Sequence, residues 1–198
     1  MRRLLPLLAL PLALTAAAPP GSAPFTVAES GERSDNLQQL LSDIRGQDAT
    51  IVIAPGVYHQ CAVQQAGHIT YKAAVPGQVI FDGTTCEGKA ALVLRGAGAR
   101  VDGVVFQNMR VPDGNGAGIR LETGDLHVTN AMFIDGQCGI LTASFPRGRI
   151  TIERSTFAPR PRSTSVALPS QIARSKIALP GAAEMKLISP ASCTAQSL

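Results

Sequence analysis

Four phenylalanines, Phe81, Phe106, Phe133 and Phe157, stand 25, 27 and 24 residues apart. Three of them sit in matching frames: "VDGVVFQN" from Val101, "VTNAMFID" from Val128 and "IERSTFAP" from Ile152. Each frame has an apolar β-former, two or three residues that suit a turn, two more residues and then Phe. "GQVIFDG" holds Phe81 in a looser copy. A second motif keeps step: "AALVLRG" from Ala90, "AGIRLET" from Ala117 and "CGILTAS" from Cys138. Self-similarity at a period of about 20 to 50 residues marks a solenoid or array, in which each unit packs on its neighbours.

The repeating pieces are short, rich in Val, Ile, Leu, Thr and Phe, and separated by Gly, Asn and Asp. That is strand-and-turn chemistry. Helical periodicity is missing from residues 49 to 157, which excludes helical repeats, and the L-x-x-L-x-L frame of leucine-rich repeats is absent. Three short strands per turn of about 24 residues fit a parallel β-helix. Coils then stack about 4.8 Å apart and pile equivalent side chains into columns. The phenylalanines form one interior column in this reading, and Leu92, Ile119 and Ile140 form another.

With the "TIVIAPGVY" segment (Thr50 to Tyr58), the strand–turn–N-x-x-F units and the "GI-x-L" strands, the chain resembles the pectate-lyase-like right-handed parallel β-helix superfamily over about residues 34–157. The resemblance implies strand order and handedness: an all-β, right-handed parallel β-helix (β-solenoid) of about four coils. In that superfamily, polysaccharide lyases and hydrolases work in a groove along the "GI-x-L" sheet and its flanking loops.

Before the first coil, "SDNLQQLLSDIRG" places Leu37, Leu40, Leu41 and Ile44 at helical spacing. A short N-terminal helix follows, with Ser34 or Asp35 as its cap and Gly46 at its end. A solenoid's open end needs a cover, and this helix supplies one. Residues 1–23, with Arg2 and Arg3 ahead of an apolar run broken by Pro6 and Pro11, have the layout of a secretory signal peptide. The expected location is therefore secreted or periplasmic. After Phe157 the pattern stops. Residues 158–198 contain no Asp, Asn, Phe, Tyr or His and one glycine, Gly181. They read as an irregular, disordered tail, either a low-complexity extension or the product of a shifted reading frame.

The formal charge of +4 comes from the ends: residues 25–157 carry 11 basic and 13 acidic side chains. No basic stripe with interleaved aromatics is present, so nucleic acid is not an expected partner. Neither is a membrane once the signal is removed. Cys61 and Cys86 lie 25 residues apart, one coil. Residues one coil apart are neighbours, which brings the two within disulfide reach; the alternative is two buried thiols. Cys138 has no mate one coil away, leaving Cys193 or a residue outside the chain.

In the "GI-x-L" sheet, Leu92, Leu94, Ile119 and Leu121 point inward, which turns Val93, Arg95, Arg120 and Glu122 outward. Arg95 then lies beside Glu122. The plain reading is a surface ion pair. The functional one makes Arg95, Arg120 and Glu122 the candidate catalytic residues of a lyase, in which Arg stabilises an enolate-like transition state. The loop "VPDGNGAG" offers Asp113 and Asn115 as candidate metal ligands. No cofactor is expected; Ca²⁺ is implied only by the resemblance, and two side chains fall short of the six to eight oxygens it takes. His59, His68 and His127 are isolated in sequence, and Lys72 is an outward strand residue without an evident partner. The resulting expectation is an exported β-helix protein that binds polysaccharide, or is related to enzymes acting on it, without an intact catalytic site. The alternatives are an extracellular scaffold or truncated inactive remnant, and an active polyuronate lyase.

Overall fold

The computed structural model describes residues 23–143 and 148–158, and the backbone of residues 171–178. Left-handed backbone at equivalent places in successive repeats breaks the chain into short strands. Gly103 (φ 76°), Asn130 (φ 52°) and Arg154 (φ 49°) occupy one such corner, and Asn108 (φ 59°) and Asp135 (φ 51°) a second. Asn and Asp tolerate this region better than other side chains, because they can hydrogen-bond locally. Here they also tie one repeat to the next. The Asn108 amide donates to Asp82 Oδ1 (2.6 Å), and the Asn130 amide donates to Asp102 Oδ1 (2.7 Å). Arg154 Nε in turn donates to Asn130 Oδ1 (2.9 Å).

The chain opens with an antiparallel pair, β1 (Phe25–Val27) and β2 (Arg33–Ser34), then helix α1 (Leu37–Ile44). Three-strand repeats follow. The first is β3 (Ala49–Ile53), β4 (Gly56–Tyr58) and β5 (Ala62–Gln64), the second β6 (His68–Ala73), β7 (Val79–Asp82) and β8 (Ala90–Leu94). The third is β9 (Gly98–Asp102), β10 (Val104–Gln107) and β11 (Ala117–Leu121), the fourth β12 (Asp125–Thr129), β13 (Met132–Ile134) and β14 (Cys138–Thr142). β15 (Arg149–Ala158) spans the first two strand positions of a fifth repeat, and β16 (Gln171–Ala178) comes last.

Each strand pairs in parallel with its counterpart in the next repeat. One four-stranded sheet runs β5, β8, β11, β14. First-position and second-position strands form two rows that β15 joins into a single twelve-stranded sheet. The fold is thus mostly β with parallel sheets, and α1 is the one helix among the described residues.

Register aligns the phenylalanines: Phe81 faces Phe106, Phe106 faces Phe133, and Phe133 faces Phe157. Their ring centroids lie 5.8, 5.2 and 4.7 Å apart, with planes within 17° of parallel. The line is longer than the Phe spacing predicts, because Tyr58 (5.7 Å from Phe81) and Phe25 (5.1 Å from Tyr58) extend it. Leu92, Ile119 and Ile140 form the second expected column, all fully buried. The stack also explains the glycine of "GI-x-L". A Cβ on Gly118 would lie 2.8 Å from the Phe106 and Phe133 side chains, and one on Gly139 would lie 2.5 Å from the Phe157 ring.

Both ends of the parallel array carry antiparallel strands or a helix. β1 lies antiparallel along β3. α1 covers β5: the Gln38 carboxamide accepts from the Val63 amide (2.7 Å) and donates back to its carbonyl (3.4 Å), as a neighbouring strand would. This protects an edge that would otherwise expose unpaired backbone groups. Leu37, Leu40, Leu41 and Ile44 are buried as the periodicity requires. The cap differs from the expected Ser34 or Asp35. Asn36 Oδ1 accepts from the Gln39 amide (2.9 Å), while Ser34 Oγ bonds Asn36's own backbone.

The tail differs too. β16 pairs antiparallel with β15, so residues 171–178 are not irregular. The reason is the same as at the other end, since the last parallel strand presents a row of unsatisfied backbone donors and acceptors. The remainder of the tail, like residues 1–22 of the expected signal segment 1–23, lies outside the described residues. Cys61 and Cys86 are disulfide-bonded, with Cα atoms 5.4 Å apart. Cys138 is disulfide-bonded as well; Cys193, one of the two mates expected for it, lies outside the described residues.

Two outcomes follow. Gly139→Ala forces a methyl into the ring stack and should lower stability by about 1–3 kcal/mol in urea unfolding, and Phe133→Asp should prevent folding altogether. Non-reduced peptide mapping should link Cys61 to Cys86, and Cys61→Ser with Cys86→Ser should lose about 2–4 kcal/mol.

Candidate functional site

The outward face of the four-stranded sheet is where the sequence points, and its composition is unusual for an open groove. Val63, Val93, Arg120 and Leu141 stand in one cross-strand row. Val93 is completely buried; Val63 and Leu141 nearly so. With Ala90, Ala117 and Cys138 they make a second apolar cluster, separate from the main core. Val93, placed outward beside Arg95, therefore packs among apolar neighbours instead of meeting solvent. Arg120 sits half-buried in the middle of this row.

Arg95 and Glu122 do come together, at the end of the row. Arg95 Nε donates to Glu122 Oε2 (2.6 Å), and Lys89 Nζ donates to Glu122 Oε1 (2.9 Å). Arg95 also forks onto Glu87, with Nη1 to Oε1 at 2.9 Å and Nη2 to Oε2 at 2.5 Å. Lys89 reaches Glu87 Oε2 at 3.2 Å and so closes a ring of two cations and two carboxylates. Glu87 and Lys89, on the turn before β8, are members that the strand periodicity did not point to.

This ring fixes protonation. Hydrogen bonds from Arg95 and then Lys89 hold the Glu87 carboxyl down at about 2. At Glu122 partial burial pushes the pKa up, but the bonds from Arg95 and Lys89 outweigh it and leave it below the usual carboxylate range. Lys89 is raised, first by Glu122 and then by Glu87 against desolvation, and Arg95 is raised, first by Glu87 and then by Glu122. All four groups are charged at neutral pH. Glu122 then has no proton to give, and each of its oxygens already accepts a bond from a cation. General acid–base work calls for a group poised near the working pH. The ring does not supply one.

Asp113 and Asn115 form a turn: Asp113 Oδ1 accepts from the Asn115 amide (3.1 Å). The surrounding loop is pinned from below by Gln137, whose Oε1 accepts from the Val111 and Gly116 amides (both 2.8 Å). Asp135 pairs with Arg110 (2.9 Å). Among the described residues no three of His, Cys, Asp or Glu converge. The donor set here does not fit Ca²⁺. The histidines are less isolated in space than in sequence. His59 Nδ1 meets the Asp82 carbonyl (3.0 Å), His68 Nδ1 meets Asp48 (3.2 Å), and His127 Nδ1 meets Arg100 (3.1 Å). Lys72 stands in register with Asp102. Among the described residues no helix is long and apolar enough to cross a membrane.

The ring makes stability acid-sensitive. Glu87 and Glu122 titrate lower in the folded chain than the ~4.3 of an unfolded glutamate. Their contribution is complete above that value and is lost as pH falls below it, for Glu87 toward about 2. The thermal midpoint should therefore drop between about pH 4.3 and 2, and Glu87→Gln with Glu122→Gln should flatten that drop.

No protein-family model, curated protein or solved structure matches this chain.

Proposed function

We propose that this chain is a right-handed parallel β-helix of the pectate-lyase-like type, exported by its N-terminal segment, and that it acts as a non-catalytic binding or scaffold protein for polysaccharide. Support for the fold comes from the parallel pairing of every third strand and from the rings held in register through β4, β7, β10, β13 and β15. The Cys61–Cys86 bridge is compatible with an oxidising compartment.

One observation carries the functional half. The acid that the sequence offers on the groove-side sheet, Glu122, is bound by Arg95 and Lys89. Elimination from a uronate needs a base free to reach a carbon-bound proton and donors free to receive the developing charge. Arg95 and Glu122 neutralise each other instead, and apart from Arg120 the adjoining row of Val63, Val93 and Leu141 is apolar and buried.

Incubation of the purified protein with polygalacturonate and with alginate, followed by ultraviolet absorbance of unsaturated product, should show no turnover. The protein should be retarded in gels cast with the polymer it binds. Turnover that disappears in Arg120→Ala or Glu122→Gln, with the fold intact by circular dichroism, would make this an active lyase. No retardation by any polymer would leave the scaffold role alone.

A further inference from the structure

On the face formed by β6, β9, β12 and β15, away from the candidate groove, lies a shallow cleft of about 390 Å³. Volumes of this order hold small ligands. Thr70, Arg100, His127 and Thr151 occupy one row across it, one from each strand. His68 and Arg149 line the same cleft on the neighbouring row, either side of Gly98 and Asp125. Four basic side chains and two hydroxyls therefore face one opening.

The two arginines are uncommitted in a way that Arg95, Arg110 and Lys89 are not. Among the described residues neither Arg100 nor Arg149 has a carboxylate within 4.0 Å, whereas each of the other three cations is ion-paired. The acids nearby contact the histidines and amide groups and not the two guanidinium groups: Glu153 Oε2 lies 4.0 Å from His127 Nε2, and Asp125, which also lines the cleft, is held by a backbone amide. Asp125 Oδ1 accepts from the Arg149 backbone amide (2.7 Å), Asp102 holds the Asn130 amide (2.7 Å), and Asp48 holds His68 through its backbone N–H (2.8 Å) and its ring. Arg100 is steadied by a hydrogen bond and feels the Asp102 charge only from beyond ion-pair distance. A guanidinium can only donate, so His127 Nδ1 accepts from Arg100 Nη1 (3.1 Å). The remaining Arg100 donors have no protein acceptor among the described residues.

Planar guanidinium forks with no acid partner match the geometry of a carboxylate or a phosphate or sulfate ester, and threonine hydroxyls add donors beside them. Among the described residues no Phe, Tyr or Trp ring lines the cleft to stack a nucleobase. No three of His, Cys, Asp or Glu among the described residues converge to hold a metal ion here. We propose that this cleft binds a small solute carrying an oxyanion, with Arg100 and Arg149 as the anion-binding residues. This site is independent of the polysaccharide reading, which concerns the β5–β8–β11–β14 face.

Titration calorimetry of the full chain at low ionic strength, with glucuronate, glucose 6-phosphate and neutral glucose, tests it. At least one of the two anions should bind while glucose does not, and the tighter anion assigns carboxylate or phosphate ester as the group recognised. Arg100→Gln and Arg149→Gln should each weaken that binding by about tenfold or more, the loss expected for a charge-assisted bond. Both side chains are exposed, so thermal midpoints should stay unchanged. Arg100→Lys, which keeps the charge and loses the fork, should fall between wild type and Arg100→Gln. Equal binding of glucose, no binding of either anion, or unchanged affinity in both Gln variants would overturn the proposal.

Discussion

Six aromatic rings run in one line from Phe25 through Tyr58, Phe81, Phe106 and Phe133 to Phe157, and the register of the other strands follows from that line. If Phe106 must stack on Phe133, β10 and β13 can pair in one register only. The corners at Gly103 and Asn130 then coincide, and β9 meets β12. The stack also dictates small residues opposite it. Ala91, Gly118 and Gly139 all precede the Leu or Ile of the second column, and at the two glycines a Cβ would overlap ring atoms. Burying a phenylalanine is worth ~1.5–3 kcal/mol and an aromatic pair adds ~0.5–1.5. A single ring is thus a modest term. Repetition lets each ring stabilise the placement of two neighbours.

A face built by such repetition is regular, and chemistry must be placed on it against that regularity. On the β5–β8–β11–β14 face the row is apolar apart from Arg120, and the acid at its end is held in a closed ring with Arg95, Lys89 and Glu87. The same four residues could be arranged for proton transfer only if one carboxylate lost its cations. On the β6–β9–β12–β15 face the order is reversed: the acids are tied to backbone amides and asparagine, and two arginines are left toward solvent.

Much of this was legible in the sequence wherever a property repeats. The interior Phe column, the Leu92–Ile119–Ile140 column, the amphipathic helix and the Cys61–Cys86 bridge all rest on one-repeat spacing or helical spacing. Tyr58 and Phe25 escaped because the column was read through one residue type. Glu87 and Lys89 escaped for a different reason: they sit on a turn outside the strands, where no period announces them. The cleft residues did carry a signal. Arg100, His127 and Thr151 are 27 and 24 residues apart, the intervals of Phe106, Phe133 and Phe157. They lie on the first strand of each repeat, away from the "GI-x-L" face to which the resemblance assigns the groove. β16 carried none, since its pairing is antiparallel and lies outside the repeat.

The central claim is that the rings form one ordered column whose members touch only their neighbours. Double-mutant cycles with Phe→Leu changes, read by urea unfolding, address it directly. Phe106 and Phe133 should couple by about 0.5–1.5 kcal/mol, the worth of a stacked aromatic pair. Phe81 and Phe133, separated by Phe106, should be additive within about 0.5 kcal/mol. Equal coupling in the two cycles, or none in the adjacent one, would contradict the column.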